Sequence, residues 1–214
     1  MLRRAVLLAA LVYVPAVASA APITIDNFES GNLNAWKSGS SGQIIVDPLN
    51  AANHVLHFTV RGDGGDIWTA NTYAATGNDW WFSFDYLGQP TSPNNVPGLD
   101  SGGAIGWDTD QSYAGNERWL GATTPVPVPS ADALLIDDGA WHHYVIHLVR
   151  GVNLTNGPVY FKAEDWVRSD AVAGNAYFDN IAITDVNPLA VPVPEPGTLL
   201  LLAAGFGLLV TRRR

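Results

Sequence analysis

Hydrophobic and polar positions alternate along the central part of the chain with the period of an extended strand. In residues 80–86 every even position is aromatic, whereas the odd positions include Ser83 and Asp85. The same period of two recurs in residues 54–60 and 142–148. Because successive side chains of a strand point to opposite faces of its sheet, these segments are predicted to be β-strands with one buried face.

Shorter apolar segments extend this pattern over most of residues 21–187, which we predict to form one domain. The additional predicted strands cover residues 23–25, 43–46, 104–107, 118–120, 159–163 and 176–184. Between the strands, segments such as 62–65 and 156–158 carry the glycine, aspartate, asparagine and proline residues typical of turns. No helical pattern longer than one or two turns precedes the C-terminal tail. The sequence therefore predicts an all-β fold, specifically an antiparallel β-sandwich.

The N-terminus has the three parts of a secretory signal peptide. Arg3 and Arg4 precede an apolar segment at residues 5–14, and residues 18–20 (Ala-Ser-Ala) fit the small-residue cleavage pattern. We therefore expect signal peptidase to remove residues 1–20 during export.

The C-terminus combines a helix-breaking segment, an apolar segment and a basic end. Residues 193–197 read Val-Pro-Glu-Pro-Gly, residues 198–210 carry no charge, and residues 212–214 are all arginine. At about 1.5 Å per residue, roughly 16 uncharged residues reach about 24 Å, slightly less than a bilayer core. The arginines fit the cytoplasmic end of such a helix. We predict a transmembrane helix over residues 197–211, preceded by a linker over residues 188–192.

This order of parts resembles the PEP-CTERM sorting signal, over residues 193–214. The residues that carry the resemblance are Pro194, Glu195, Pro196, Arg212, Arg213 and Arg214. The resemblance implies a Gram-negative bacterium and cleavage near Pro-Glu-Pro by an exosortase, a membrane-embedded protease. It also implies transient residence in the inner membrane, followed by a location at the cell surface or in an exopolysaccharide or biofilm matrix.

The part of the chain between the two signals is strongly acidic. The whole chain has a formal net charge of −9, yet five of its 11 basic residues and only one of its 20 acidic residues lie in the signals. An acidic surface repels nucleic acid and anionic lipid and favours divalent cations or neutral polymers. We therefore expect no nucleic-acid partner.

Since the chain has no cysteine, an exported fold must depend on its core, and on any bound metal, rather than on disulfides.

Both ends of the central part resemble galactose-binding-like jelly rolls, which include many carbohydrate-binding modules. Residues 26–31 with Trp36 resemble their first strand, and residues 177–183 resemble their last strand. The resemblance implies a jelly-roll-like sandwich in which the first and last strands pair beside a structural calcium. Carried over to this chain, Glu29 and Asp179 would bind the calcium, which takes roughly six to eight oxygen ligands. The alternative is that Glu29 ends a strand in water and Asp179 caps a turn.

Aromatic residues interleaved with aspartate and asparagine form the candidate ligand-binding set. Sugar rings stack on flat aromatic faces, while their hydroxyl groups pair with acidic or amide side chains. The candidates are Trp68, Trp81, Trp107, Tyr113 and Trp119. A tryptophan in a sandwich is more often a core residue, which is the alternative for each of them. The remaining tryptophans of the central part are expected in the core: Trp36, Trp80, Trp141 and Trp166.

No catalytic constellation emerges from the sequence, so we expect no enzyme. Glycoside hydrolysis needs two carboxylates roughly 5–10 Å apart across a cleft, and glutamate is scarce in the central part. His143 and His147 are expected on one face of their strand and His142 on the other, with no cysteine or glutamate to complete a zinc site.

The preferred function is an exported, exosortase-processed protein whose module binds extracellular polysaccharide. A structural or adhesive matrix protein without a glycan pocket, and a secreted polysaccharide hydrolase, are the alternatives.

Overall fold

The computed structural model describes residues 21–37, 42–58, 67–89, 102–112, 117–123, 131–166 and 176–189. The predicted signal peptide, the predicted transmembrane helix, the six sorting residues and Tyr113 lie outside these ranges. Within them, no helix is long and apolar enough to cross a membrane. Residues Ala20–Pro188 form one compact unit.

The unit Ala20–Pro188 is all-β and consists of two sheets, which confirms the predicted fold class. Its described strands are β1 (Ile23–Asp26), β2 (Trp36–Lys37), β3 (Gly42–Asp47), β4 (Asn50–Phe58), β5 (Ile67–Thr69), β6 (Asp79–Gly88), β7 (Gly102–Asp108), β8 (Arg118–Ala122), β9 (Ala133–Leu134), β10 (Trp141–Val149), β11 (Tyr160–Trp166) and β12 (Ala176–Thr184). Sheet A has the order β10–β6–β12–β4–β3, with β1 also paired to β12, and sheet B has the order β2–β5–β11–β7–β8–β9. These pairings are antiparallel except for β8 with β9.

Three short strands were not predicted from the sequence, namely β2, β5 and β9. They contain two or three residues each. A period of two cannot be recognised over so few positions, so tertiary pairing rather than local pattern defines them.

The last strand, β12, lies in the interior of sheet A. One of its edges pairs with β6, and the other pairs first with β4 and then with β1. Ile183 of β12 lies opposite Ile23 of β1, so the predicted pairing of the first and last strands is confirmed. The register with β6 shifts between Asp179 and Ala182, where Asn180 adopts a φ of 50°. Such irregularities re-aim side chains, here beside the candidate metal ligand.

Stacked aromatic rings join the two sheets through the core. Phe82 and Phe84 of β6 and Phe178 of β12 are fully buried, as is Phe161 of β11 in the other sheet. Phe82 stacks on Phe161 with ring centroids 4.7 Å apart, which joins the two sheets directly. Such ring pairs contribute about 0.5–1.5 kcal/mol beyond the burial of their area.

Tyr86 supplies a polar link between the sheets. Its hydroxyl donates to Oδ1 of Asp137 at 2.6 Å and accepts from the N–H of Gly103 at 3.0 Å. Burial, together with the nearby Asp137 carboxylate, raises the pKa of Tyr86 well above its ordinary value. A Cβ on Gly103 would lie 2.4 Å from Cε2 of Tyr86, so this close approach requires glycine.

Replacing Tyr86 with phenylalanine should lower the free energy of unfolding by about 1–3 kcal/mol, because it removes the hydroxyl that accepts from the buried N–H of Gly103 and donates to Asp137. Urea unfolding of the variant measures the loss. Tyr144→Phe is the matched control, since the Tyr144 hydroxyl accepts only from the exposed N–H of Ile136, where water can replace it. Equal losses in the two variants would contradict the role of Tyr86.

Candidate functional site

One face of sheet B points away from the core and carries a row of four residues across its strands. We call Trp68, Lys162, Gly106 and Trp119 the sheet B row. Lys162 lies opposite Trp68 on one side and opposite Gly106 on the other, and Gly106 in turn lies opposite Trp119. The preceding residue of β11, Phe161, belongs to the core. Because side chains of a strand alternate between faces, the row lies on the outer face.

Lys162 is held between the two indole rings of this row. Its Nζ lies 4.2 Å from the ring centroid of Trp119 and 5.7 Å from that of Trp68. A cation over an indole face is attracted by the negative π surface. The side chain is only 2% exposed, and Oε2 of Glu117 lies 3.8 Å from its Nζ. The carboxylate therefore offsets part of the cost of burying this charge.

The two tryptophans of the row differ in accessibility. Trp68 is buried, and its Nε1 donates to Oδ2 of Asp108, whose Oδ1 accepts the N–H groups of Asp110 and Gln111. Trp119 is partly exposed and packs beside Ala104 and Ala122 on the outer face. Trp119 is thus the ring of the row that a ligand reaches first.

The other aromatic candidates do not join this row. Trp107 belongs to the core between the sheets, where its Nε1 donates to the carbonyl oxygen of Asn153 at 2.9 Å. Trp81 lies on the outer face of sheet A and stacks on His147, with ring centroids 4.3 Å apart. Tyr113 lies outside the described residues. The structure therefore brings two of the five candidates together and places Trp81 on the opposite side of the sandwich.

The tryptophans expected in the core also lie in different places. Trp36 and Trp80 are buried in the core cluster. Trp141 is partly exposed and packs against Val55, Leu87 and Tyr177, a small separate cluster. Of Trp166 the structure describes only the backbone. The expectation is wrong for Trp141, because alternation along β10 places it on the outer face of sheet A, opposite the core residues Ile146 and Leu148.

The tip of the β3–β4 hairpin folds across the outer face of sheet A. Strands β3 and β10 are the two edges of this sheet, yet Nε1 of Trp141 on β10 donates to Oδ1 of Asp47 on β3 at 3.2 Å. The same tip carries Asn53, whose Nδ2 donates to Asp47 at 3.2 Å and to Asp179 at 2.9 Å. The hairpin thereby buries the candidate metal ligand Asp179.

Asp179 is a desolvated carboxylate among other carboxylates. It is 3% exposed, and its Oδ1 accepts the N–H of Asn180 at 2.7 Å. Burial raises the pKa of Asp179 to about 6, and repulsion from Asp85 and Glu29 acts in the same direction. The Glu29 and Asp179 carboxylates therefore repel each other electrostatically, and a cation shared between them stays a prediction.

Glu29 itself is exposed and accepts hydrogen bonds from β4. Its Oε1 accepts the N–H of His54 at 3.0 Å, and its Oε2 lies 3.4 Å from Nδ1 of the same histidine. The backbone hydrogen bond from His54 holds the pKa of Glu29 below its ordinary value. Glu29 is therefore ionised at neutral pH and available to a cation beside Asp179.

Glu29 and Asp179 alone are too few ligands for a hard cation such as calcium, so other oxygen atoms would have to complete the site. Among the described residues, no group of three or more His, Cys, Asp or Glu side chains could hold a metal ion. Calcium also accepts backbone carbonyl oxygens. Asp47 lies near Asp179, because Nδ2 of Asn53 donates to both carboxylates. Sequence reasoning missed these two residues, because Asp47 opens a segment, Asp-Pro-Leu-Asn, that signals only a turn, and Asn53 follows it in a strand.

Comparison with known proteins identifies the C-terminal segment. Residues 192–214 match the sequence model of the PEP-CTERM protein-sorting motif. This match confirms the predicted sorting signal, which marks an exported protein that passes through the membrane and is processed by an exosortase. No curated protein sequence matches the chain.

Solved structures with similar folds include several carbohydrate-binding modules. CBM27-1 of Caldicellulosiruptor saccharolyticus, in complex with mannohexaose, is 14% identical with a TM-score of 0.45, over 79% of this chain and 100% of that chain. The CBM22-1–CBM22-2 tandem domain of Paenibacillus barcinonensis Xyn10C is 16% identical with a TM-score of 0.48, over 81% and 53%. The K1 cleaved adhesin domain of Lys-gingipain from Porphyromonas gingivalis W83 is 14% identical with a TM-score of 0.48, over 78% and 100%. Similarity at this level assigns no ligand to this chain.

The pKa of Asp179 leads to a pH-dependent stability in calcium-free buffer. A carboxyl whose pKa is raised to about 6 binds its proton more tightly in the folded state, so stability falls as pH rises from about 4 to above 6. Since one pKa unit corresponds to about 1.4 kcal/mol, this loss is at most about 3 kcal/mol.

Urea unfolding of the wild type and Asp179→Asn in EDTA, at pH 4.5 and pH 7, measures the effect. We expect the wild type to lose more stability between these pH values than the variant, which cannot ionise there. The same pH dependence in both proteins would contradict a raised pKa of Asp179.

Proposed function

We propose that the exported domain binds extracellular polysaccharide without catalysis, through the outer face of sheet B. The observation that carries this proposal is the sheet B row, in which a partly exposed indole, Trp119, is fixed beside a lysine and several carboxylates. A flat ring backed by a lysine and bordered by hydrogen-bonding groups suits sugar rings and their hydroxyl groups. We place the processed protein at the cell surface or in the exopolysaccharide matrix of a Gram-negative bacterium.

The fixed geometry of the row supports a binding role. Lys162 is restrained by both rings and by Glu117, and Trp68 is restrained by Asp108. Side chains already held in place lose little conformational entropy when a ligand binds. The carboxylates Asp108, Glu117 and Glu164 on or beside this face outnumber its lysine. We therefore expect a neutral or basic polysaccharide rather than an acidic one.

Trp119→Ala should weaken the retention of the protein on affinity gels of galactomannan, xylan or glucan by at least about tenfold, because it removes the accessible stacking ring. Trp119→Phe keeps a flat ring and should retain most of the affinity. The melting temperature of each variant shows whether the fold is preserved. Retention that is unchanged in a folded Trp119→Ala variant would favour a matrix protein without a glycan pocket on this face.

A structural calcium beside Asp179 is the second part of the proposal. It is supported by the buried carboxylate of Asp179, by the repulsion from Glu29 and Asp85 that a cation would relieve, and by the nearby carboxylate of Asp47, which shares the Nδ2 donor of Asn53 with Asp179. Calcium would contribute charge neutralisation at the junction of β1, β12 and the β3–β4 hairpin. Its role would be to stabilise the fold.

EDTA should lower the melting temperature of the wild-type protein, and Asp179→Ala should remove this sensitivity. At a hundredfold excess of calcium over its dissociation constant, binding stabilises the fold by about 2.7 kcal/mol. Asp138→Ala is the matched control, since Asp138 is an exposed carboxylate that pairs with His142 instead. A melting curve of the wild type that does not respond to EDTA or added calcium would refute the site.

A further inference from the structure

The outer face of sheet A carries a stripe of polar and aromatic side chains that the sheet B row does not include. The register of β10 with β6 places His143 opposite Asp85 and His147 opposite Trp81. The imidazoles of His143 and His147 are 57% and 42% exposed. We call this set the sheet A stripe, and its members are Asp79, Trp81, Asp85, His143, His147 and Asn180.

Hydrogen bonds within the sheet A stripe hold its side chains in place. Nδ1 of His143 lies 2.6 Å from Oδ1 of Asp85, and Oδ2 of Asp85 accepts from Nδ2 of Asn180 at 2.7 Å. At the other end, Nε2 of His147 lies 2.8 Å from Oδ1 of Asp79. Each imidazole has a second ring nitrogen that can bind a hydroxyl group of a ligand. The stripe therefore presents fixed hydrogen-bonding groups to solvent.

The dimensions of the stripe suit an extended polymer. Residues 79–85 of β6 span about 20 Å at roughly 3.4 Å per residue, which is the length of several sugar units. Trp81, stacked on His147, provides a flat surface near one end. At the other end, the tip of the β3–β4 hairpin covers Trp141 and Asp179 and bounds the open part of the face.

The charge of the stripe limits the class of ligand. Strands β6, β10 and β12 contain no lysine or arginine, while Asp79 and Asp85 are partly exposed. This balance opposes uronic-acid polymers, nucleic acid and acidic protein surfaces. The sheet A stripe also lacks the apolar centre that a contact with a second copy of the chain would bury. A polysaccharide without acidic groups is the occupant whose chemistry matches.

We propose that the sheet A stripe is a second polysaccharide-binding surface, so that one domain holds two polymer segments on opposite faces of the sandwich. The proposal rests on the proposed function of the sheet B row. Since the two surfaces face away from each other, simultaneous binding would cross-link neighbouring polysaccharide chains. Two linked sites also raise the overall avidity for a polymer without any new contact.

The test measures the number of oligosaccharide sites on the full-length chain in mild detergent. Isothermal titration calorimetry uses mannohexaose, xylohexaose, cellohexaose and a glucosamine hexamer as probes, with a galacturonic-acid hexamer as the acidic comparison. We expect two sites per chain for at least one of the first four probes, and no binding of the acidic one. Trp81→Ala should leave one site, Trp119→Ala should leave the other, and the double variant should leave none.

Two milder substitutions keep the test decisive if Trp81→Ala fails to fold. His143→Gln and Asp79→Asn should each weaken one of the two sites by at least about tenfold while leaving the other unchanged. His142→Gln is the matched control, because the neighbouring His142 pairs with Asp138 rather than with the stripe, and it should leave both sites intact.

The possible failures are distinguishable. A single site in the wild type that Trp119→Ala removes would overturn this inference and leave the proposed function standing. Two sites that survive Trp81→Ala, His143→Gln and Asp79→Asn would also overturn it, as would a dimer that His143→Gln dissociates, since the face would then bind a second copy. If none of the probes binds, the proposed function and this inference fall together.

Discussion

The pairing of β12 with three other strands is the interaction on which the rest of the structure depends. β12 joins β6 on one side and both β4 and β1 on the other, so its removal would divide sheet A. Phe178 of this strand packs against Phe84 and Tyr86 of the core. The contact of Ile23 with Ile183 joins residues 160 positions apart, and such a distant pairing is slow to form. The fold is therefore completed by nearly the last residues before the sorting signal.

The same strand also creates the candidate metal site. Asp179 lies where the register between β12 and β6 shifts, and Asn180 takes up a left-handed backbone conformation beside it. The β3–β4 hairpin then covers Asp179 with Asn53 and Asp47. Sheet formation thus forces a carboxylate into a poorly solvated position, where protonation or a cation stabilises it. The strand that completes the fold is, in this account, also the strand that calcium would secure.

The sequence predicted the long strands well and the site only in part. In β6 and β10, alternation over residues 80–86 and 142–148 identified each strand and its apolar side. The pairing of the first and last strands followed from resemblance at the two chain ends. By contrast, the sequence did not show which tryptophans lie in the core and which lie on an outer face. Trp107 and Trp119 lie on opposite faces of sheet B, and alternation alone does not show which of these faces meets the core. The cover over Trp141 depends on a hairpin crossing the whole sheet, a tertiary event with no local signal.

Hydrogen exchange followed by mass spectrometry tests most directly whether β12 holds sheet A together. The account predicts that the amides of β12 and β6 exchange only through global unfolding and are therefore the slowest in the domain, whereas those of the edge strand β3 exchange faster by local opening. Exchange of the β12 amides at the rate of β3, or faster, would show that sheet A is stable without its last strand and would contradict the account.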